Sequence, residues 1–131
     1  MRTARKTLLS LALATGGLGL GGCMPDFGTV EFDPISTPPR TVTVRSHLIE
    51  LPAGMAVVVE ATPISDNANE YDSSYKLDFF SQDRDVFRVF RREDRREFVF
   101  VGVAPGNTCV EVEIDGRAED CIDVTVEAPE G

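Results

Sequence analysis

The chain of 131 residues contains one histidine, three cysteines and no tryptophan. His47 stands alone, so no base can be matched with a nucleophile and an orienting carboxylate, and a triad needs all three. A lone histidine and two cysteines that can pair with each other leave no ligand set for zinc. No Cys-x-x-Cys spacing occurs, which argues against a redox-active pair. Nor is there an uncharged run of roughly 20 residues beyond residue 22, the length needed to cross a bilayer. No stretch after that point repeats its apolar residues with the period of a helix. Catalysis, structural zinc, helical membrane spans and a bound cofactor all lack their residues here.

Negative charge, by contrast, is abundant. The whole chain carries 13 basic and 22 acidic residues, a net charge of −9. Three of the basic residues, Arg2, Arg5 and Lys6, precede any acid. From residue 23 onward ten basic residues face 22 acidic ones, a net charge of −12. Such a surface is soluble and repels nucleic acid and anionic headgroups.

Those three cations open a leader. Leu8 to Leu20 is apolar and punctuated by glycine, and the small pair Gly21-Gly22 precedes Cys23. A charged start, a short apolar centre and small residues at the end make a signal peptide over 1–22, too short to span. Leu20-Gly21-Gly22-Cys23 resembles the lipobox of bacterial lipoproteins. The resemblance implies a diacylglyceryl thioether on Cys23, cleavage before it and acylation of the new amino terminus. Two or more acyl chains, at about 0.8 kcal/mol per buried CH₂, anchor a protein stably where one does not. The membrane, through those chains, is then the first partner. Met24 after the cysteine resembles the signal for the outer membrane in bacteria that have two.

Residues 23–40 hold Pro25, Pro34, Pro38 and Pro39 and read as a lipidated tether, reaching about 50 Å in polyproline form. Residues 128–131 read as a polar tail. Between them, over 41–127, the pattern is β. Strands are expected over 41–51, where Leu48, Ile49 and Leu51 continue the apolar pattern of 41–44, and over 55–61, 75–80, 86–90, 97–103, 108–114 and 121–126, with 62–74 a long polar loop. Short strands at regular spacing, about seven in such a fold, point to an all-β sandwich of the immunoglobulin type.

The last hairpin is the clearest unit. Val110, Val112 and Ile114 alternate with Cys109, Glu111 and Glu113, and Ile122, Val124 and Val126 alternate with Cys121, Asp123 and Thr125. Both cysteines fall on the polar face, so a cross-strand disulfide between Cys109 and Cys121 is expected across a turn at Asp115-Gly116. That pairing leaves Cys23 as the odd thiol, available for lipid.

Leu77-Asp78-Phe79-Phe80-Ser81-Gln82-Asp83, Val86-Phe87-Arg88-Val89 and Val101-Gly102-Val103-Ala104-Pro105-Gly106 together resemble a bacterial immunoglobulin-like domain of group 2. Leu51-Pro52-Ala53-Gly54 sits where that family has its first inter-strand turn. Phe79 stands where a tryptophan is usual, and 91–96 lengthens one hairpin. The resemblance covers 41–127 and implies a binding or spacer module with no catalytic residues.

Three features remain as candidate sites. Asp66, Asn67, Asn69, Glu70 and Asp72 cluster oxygen atoms suited to calcium but lack the EF-hand spacing, so a solvated loop is the simpler reading. Arg84, Arg88, Arg91, Arg92, Arg95 and Arg96 gather on one hairpin; they either protect an edge strand from aggregation or dock an anionic envelope polymer or protein. From Phe98 to Val103 both faces are apolar, so the strand is either central and covered or presents a contact patch. Arg88, Phe90, Arg92, Arg95, Phe98 and Phe100 are the candidate partner-binding set. The function expected is a non-enzymatic, lipid-anchored envelope module in binding or scaffolding. The alternative is an accessory subunit docking through hairpin 86–103.

Overall fold

The computed structural model describes residues 24–93 and 96–129. Nine strands occur among them: β1 (Phe27–Pro34), β2 (Thr43–Arg45), β3 (Leu48–Pro52), β4 (Ala56–Ser65), β5 (Leu77–Ser81), β6 (Phe87–Arg91), β7 (Glu97–Gly102), β8 (Gly106–Ile114) and β9 (Arg117–Glu127). They form a four-stranded sheet in the order β1-β4-β7-β6 and a five-stranded sheet in the order β2-β3-β9-β8-β5. Neighbours are antiparallel except β3 and β9, which run parallel. With β1, β4, β7 and β6 as strands A, B, E and D, and β5, β8 and β9 as C, F and G, this is the immunoglobulin arrangement of ABED over CFG. The all-β sandwich read from the sequence is the fold, with the short β2 and β3 extending the count beyond seven.

The expected tether is the main correction. Residues 27–34 are not a linker but edge strand β1, antiparallel to β4 from Thr29↔Ile64 to Pro34↔Val59. Val30 and Phe32 point inward while Glu31 and Asp33 point out, the alternation of a half-buried strand. Proline is tolerated here because an edge strand has an unpaired side. Pairing continues past the strand, since the Ile35 N–H donates to the Val58 carbonyl (2.9 Å) and the Val58 N–H donates to Ser36 Oγ (2.9 Å). Gly28 lies at a bulge in this ladder. A Cβ there would come within 2.6 Å of the Ser65 carbonyl oxygen.

The loop expected over 62–74 is shorter than read, because β4 runs on to Ser65. Pro63 fits this strand because β4 has lost β7 as a neighbour after Glu60↔Glu97 and pairs there with β1 alone. Beyond it the chain folds back on itself: the Ser65 N–H donates to the Asn69 carbonyl and the Tyr71 N–H to the Pro63 carbonyl.

The final hairpin shows how one residue corrects a register. Asp115 (φ 50°) and Gly116 (φ 82°) both have positive φ, the signature of a two-residue type I′ turn. Such a turn places Ile114 opposite Arg117. Carried on unchanged, that register would set inward Val110 opposite Cys121 and turn every side chain of β9 to the wrong face. A bulge intervenes: Glu113 pairs with Ala118 but Val112 with Asp120, leaving Glu119 as the extra residue. Val110 then faces Ile122, Thr108 faces Val124, and the apolar faces match.

The core lies between the sheets and is aromatic. Phe87, Phe98 and Phe100 are fully buried, with Phe79 nearly so. Phe79 is edge-on to Phe98 at 4.8 Å and to Phe100 at 5.7 Å, and Phe32 and Phe87 each meet Phe100 at 5.5 Å. Tilted and edge-on contacts of this kind add about 0.5–1.5 kcal/mol each beyond area burial. Phe79 on β5 thus anchors the centre of the sandwich, with Ile49, Leu51, Val57, Val59, Ile114 and Ile122 packed around the cluster. Among the described residues every strand and all of this core lie between Met24 and Pro129.

Candidate functional site

Strand β7 decides what the arginine-rich hairpin can present. It lies between β4 and β6, and its odd and even residues face opposite sides. Phe98 and Phe100 point into the core and are 1% and 0% exposed. They cannot contact a partner, and this corrects their place in the expected binding set. Val99 and Val101 take the outer face. Both alternatives raised by the apolar strand are therefore realised: it is central, and its outer side is still apolar.

Around them the outer face of the four-stranded sheet is built by register. Val58 pairs with Val99 and Phe90 with Val99 from the other side, while Ala56 and Arg88 flank Val101. Ile35 joins opposite Val58. One row thus runs Ile35, Val58, Val99, Phe90 across all four strands. Ile35 and Phe90 are each 48% exposed, and Val103 is 37% exposed. The next row runs Asp33, Glu60, Glu97, Arg92. Within it Arg92 reaches Glu97 at 3.6 Å, whereas Asp33 and Glu60 have no ion pair among the described residues.

Of the candidate set, then, Arg88, Phe90 and Arg92 share this face. Arg95 lies outside the described residues, as does Cys23. The sequence pattern does not mark Ile35, because the prolines around it suggest a tether, or Val58, because its strand is one apolar, β-branched run. The period-two alternation of Val30-Glu31-Phe32-Asp33 was the available signal.

Arg91 faces the other way. Its guanidinium spans the open side of the sandwich to Asp78 on β5 and to the Leu77 carbonyl, with its carbon 5.0 Å from the Phe98 ring centroid. Lys76 approaches the same carboxylate at 3.5 Å. Arg91 lines two hollows on this side. One, of about 380 Å³, is also bordered by Ser74, Tyr75, Lys76 and Leu77; the other, of about 260 Å³, by Asp78, Phe80, Arg84 and Val89. Arg96 donates to the carbonyls of Asp72 and Tyr75. These two arginines serve the fold, not a docking face.

The disulfide joins Cys109 and Cys121 on the outer face of the five-stranded sheet, with Cα atoms 5.5 Å apart. It is diagonal, not directly cross-strand as the symmetric reading expected: Cys109 faces Asp123 and Cys121 faces Glu111. The two-residue turn and the bulge at Glu119 each contribute one residue of the offset. Carboxylates crowd the same face. Burial together with Glu111 and Asp78 raises the pKa of Glu113.

The loop considered for calcium holds its oxygens for itself. Ser65 Oγ donates to Asn67 Oδ1 (2.6 Å), and the Ser74 N–H donates to Asp72 Oδ1 (2.8 Å). The hydrogen bonds from Ser74, with Arg96 nearby, lower the Asp72 pKa. Tyr71, buried beneath this loop, donates its hydroxyl to the Pro25 carbonyl at 2.7 Å. Its pKa is raised by burial and by Glu119 and Asp26. Among the described residues no three His, Cys, Asp or Glu side chains converge for a metal. No helix there is long and apolar enough to cross a membrane. His47 is exposed in the turn between β2 and β3.

No family model and no curated protein sequence matches the chain. Solved structures do match its fold. Domains 4 and 5 of the S-layer protein SbsC align with a TM-score of 0.51 and 18% identity, over 73% of this chain and 54% of that one. A structure of SbsC domains 4–9 aligns with a TM-score of 0.53 and 17% identity, over 75% of this chain and 15% of that one. The chain spans little more than half of the first and about a seventh of the second. At such identity the likeness is one of fold.

Proposed function

We propose that this chain is a lipid-anchored, non-enzymatic immunoglobulin-like module of the bacterial cell envelope, acting in scaffolding or binding. The observation that carries the reading is the cysteine parity. Cys109 and Cys121 are joined to each other, so Cys23, at the end of Leu20-Gly21-Gly22-Cys23, is the one thiol left for an acyl chain. The leader supplies export, and disulfides persist in oxidising compartments outside the cytoplasm. The S-layer domains that share the fold are consistent with an envelope setting. Met24 after the cysteine favours the outer membrane if the organism has two. Group 2 bacterial immunoglobulin-like domains are the family this reading favours.

The test is partition of the full-length protein between detergent and aqueous phases after expression in a bacterial host. Wild type is expected in the detergent phase with the mass of an acylated cysteine at its amino terminus, and Cys23→Ser in the aqueous phase. Equal membrane retention of both refutes the anchor. A second reading, an accessory subunit docking through hairpin 86–103, retains support from Arg88, Phe90 and Arg92 on the outer face but not from Phe98 and Phe100. Crosslinking in intact membranes separates the two, because a fixed heteromeric partner supports only the accessory role.

A further inference from the structure

The outer face of the β1-β4-β7-β6 sheet carries an apolar row with acid along one edge and base along the other. Ile35, Val58, Val99 and Phe90 form the row; Glu31 and Asp33 lie on β1, Arg88 and Arg92 on β6. A polyanion laid across it would meet Asp33 and Glu60 as well as the arginines, so a uniformly charged polymer does not fit.

A second copy does. Rotate one copy by half a turn about an axis in the plane of this face, parallel to the strands and between β4 and β7. The β6 edge of each then covers the β1 edge of the other. Phe90 meets Ile35, Val99 meets Val58, and Arg92 meets Asp33, all at matched rows, each contact occurring twice as a two-fold interface requires. Sheets packed face to face keep their strands within about 30° of one another, which this alignment satisfies. One contact is adverse: Glu97 comes opposite Glu60. Arg92, 3.6 Å from Glu97 in the same copy, offsets it.

We propose that the protein self-associates through this face as a two-fold dimer, with Arg92 of each copy paired to Asp33 of the other. Four strands about 4.8 Å apart and some 20 Å of strand length give a face on the order of 400 Å² per copy. That is below the roughly 800 Å² per partner of standard stable complexes, so the dimer is weak and reversible. The axis runs along the strands, so both copies point their Met24 ends the same way.

The experiment is sedimentation velocity on the chain from Met24, between about 10 µM and about 1 mM, a range suited to weak interfaces. Wild type is expected to shift toward twice the monomer mass. Arg92→Asp and Asp33→Arg should each raise the dissociation constant at least about ten-fold. The double variant should recover to within about three-fold of wild type, because the pair is restored with reversed polarity. Phe90→Ser, at a half-exposed position, should abolish the shift while its thermal unfolding stays that of wild type. A monomer at every concentration overturns the proposal. So does a dimer indifferent to both charge reversals, or a double variant that folds as wild type does and fails to recover.

Discussion

Arg91 on β6 and Asp78 on β5 form an ion pair between the two sheets, closing the side of the sandwich where the edge strands diverge. The same guanidinium donates to the Leu77 carbonyl and lies against the Phe98 ring. The pair is partly exposed, at 33% and 23% for the two side chains, which limits its Coulombic worth. The carbonyl bond and the ring contact add to it. Arg91→Ala is expected to lower stability by about 1–2 kcal/mol, read as a shift in the urea midpoint. Arg91→Lys should recover only part, because a point charge cannot fork between carboxylate and carbonyl.

The diagonal disulfide closes a loop of sequence separation 12. Replacing both cysteines with serine removes that constraint from the unfolded chain and should cost about 3 kcal/mol. The native contacts on either side are backbone ladders that survive the change, so the fold should persist with a lower melting temperature. Calorimetry of the double variant against the oxidised parent checks both statements.

Gly102 has no room for a methyl group. A Cβ there would sit 2.6 Å from the Pro52 carbonyl oxygen and 3.2 Å from both Leu51 and Val126 side chains. Its backbone also ties the turn after β3, accepting from the Gly54 N–H and donating to the Met55 carbonyl. Gly102→Ala is expected to destabilise by about 1–3 kcal/mol through overpacking against fixed backbone. Gly116→Asn provides the contrast, since that position has positive φ and nothing within 4 Å; asparagine tolerates the left-handed region, and the loss there should be small.

Two carboxylates give opposite pH signatures. The raised pKa of Glu113 means the folded protein holds that proton more tightly than the unfolded chain. As pH rises through the ordinary carboxylate value the unfolded chain ionises first, so Glu113 lowers stability until its folded pKa is passed. Glu113→Gln should therefore raise the melting temperature at neutral pH and change nothing in strong acid. Asp72 has a lowered pKa through its hydrogen bonds from Ser74. It adds stability above its ordinary range and loses it as pH falls through the folded value. Asp72→Asn should lower the neutral melting temperature and leave the acid limit unchanged. Melting curves at several pH values separate the two.

Legibility in the sequence followed the strength of alternation. The hairpin of β8 and β9 shows a strict two-residue period, and both its strands and the pairing of Cys109 with Cys121 could be read directly. The offset between those cysteines could not, because half of it comes from a single bulged residue, Glu119, which leaves no compositional trace. The uniformly apolar run of β7 gave its existence but not its place in the sheet. Only the pairing of Val99 with both Val58 and Phe90 shows that one side is core and the other bare. Strand β1 was hidden by Pro25 and Pro34, residues that favour linkers and are equally at home on a sheet edge. The site inherited that error: Ile35 and Asp33, the β1 members of the two outer rows, lie in the segment whose prolines suggest a tether.

Strand β1 starts at Phe27, and Met24 already packs against the core. Three residues separate Cys23 from the first strand, a reach of at most ~14 Å over the four steps to Phe27. If Cys23 is acylated, the domain has a footing and not a leash. The end of the sandwich where Tyr71 holds the Pro25 carbonyl and Asp66 holds that of Asp26 would face the headgroups. The strands would stand away from the bilayer, and the outer face with its row from Ile35 to Phe90 would be turned sideways. Neighbouring molecules fixed in that posture on one membrane meet flank to flank.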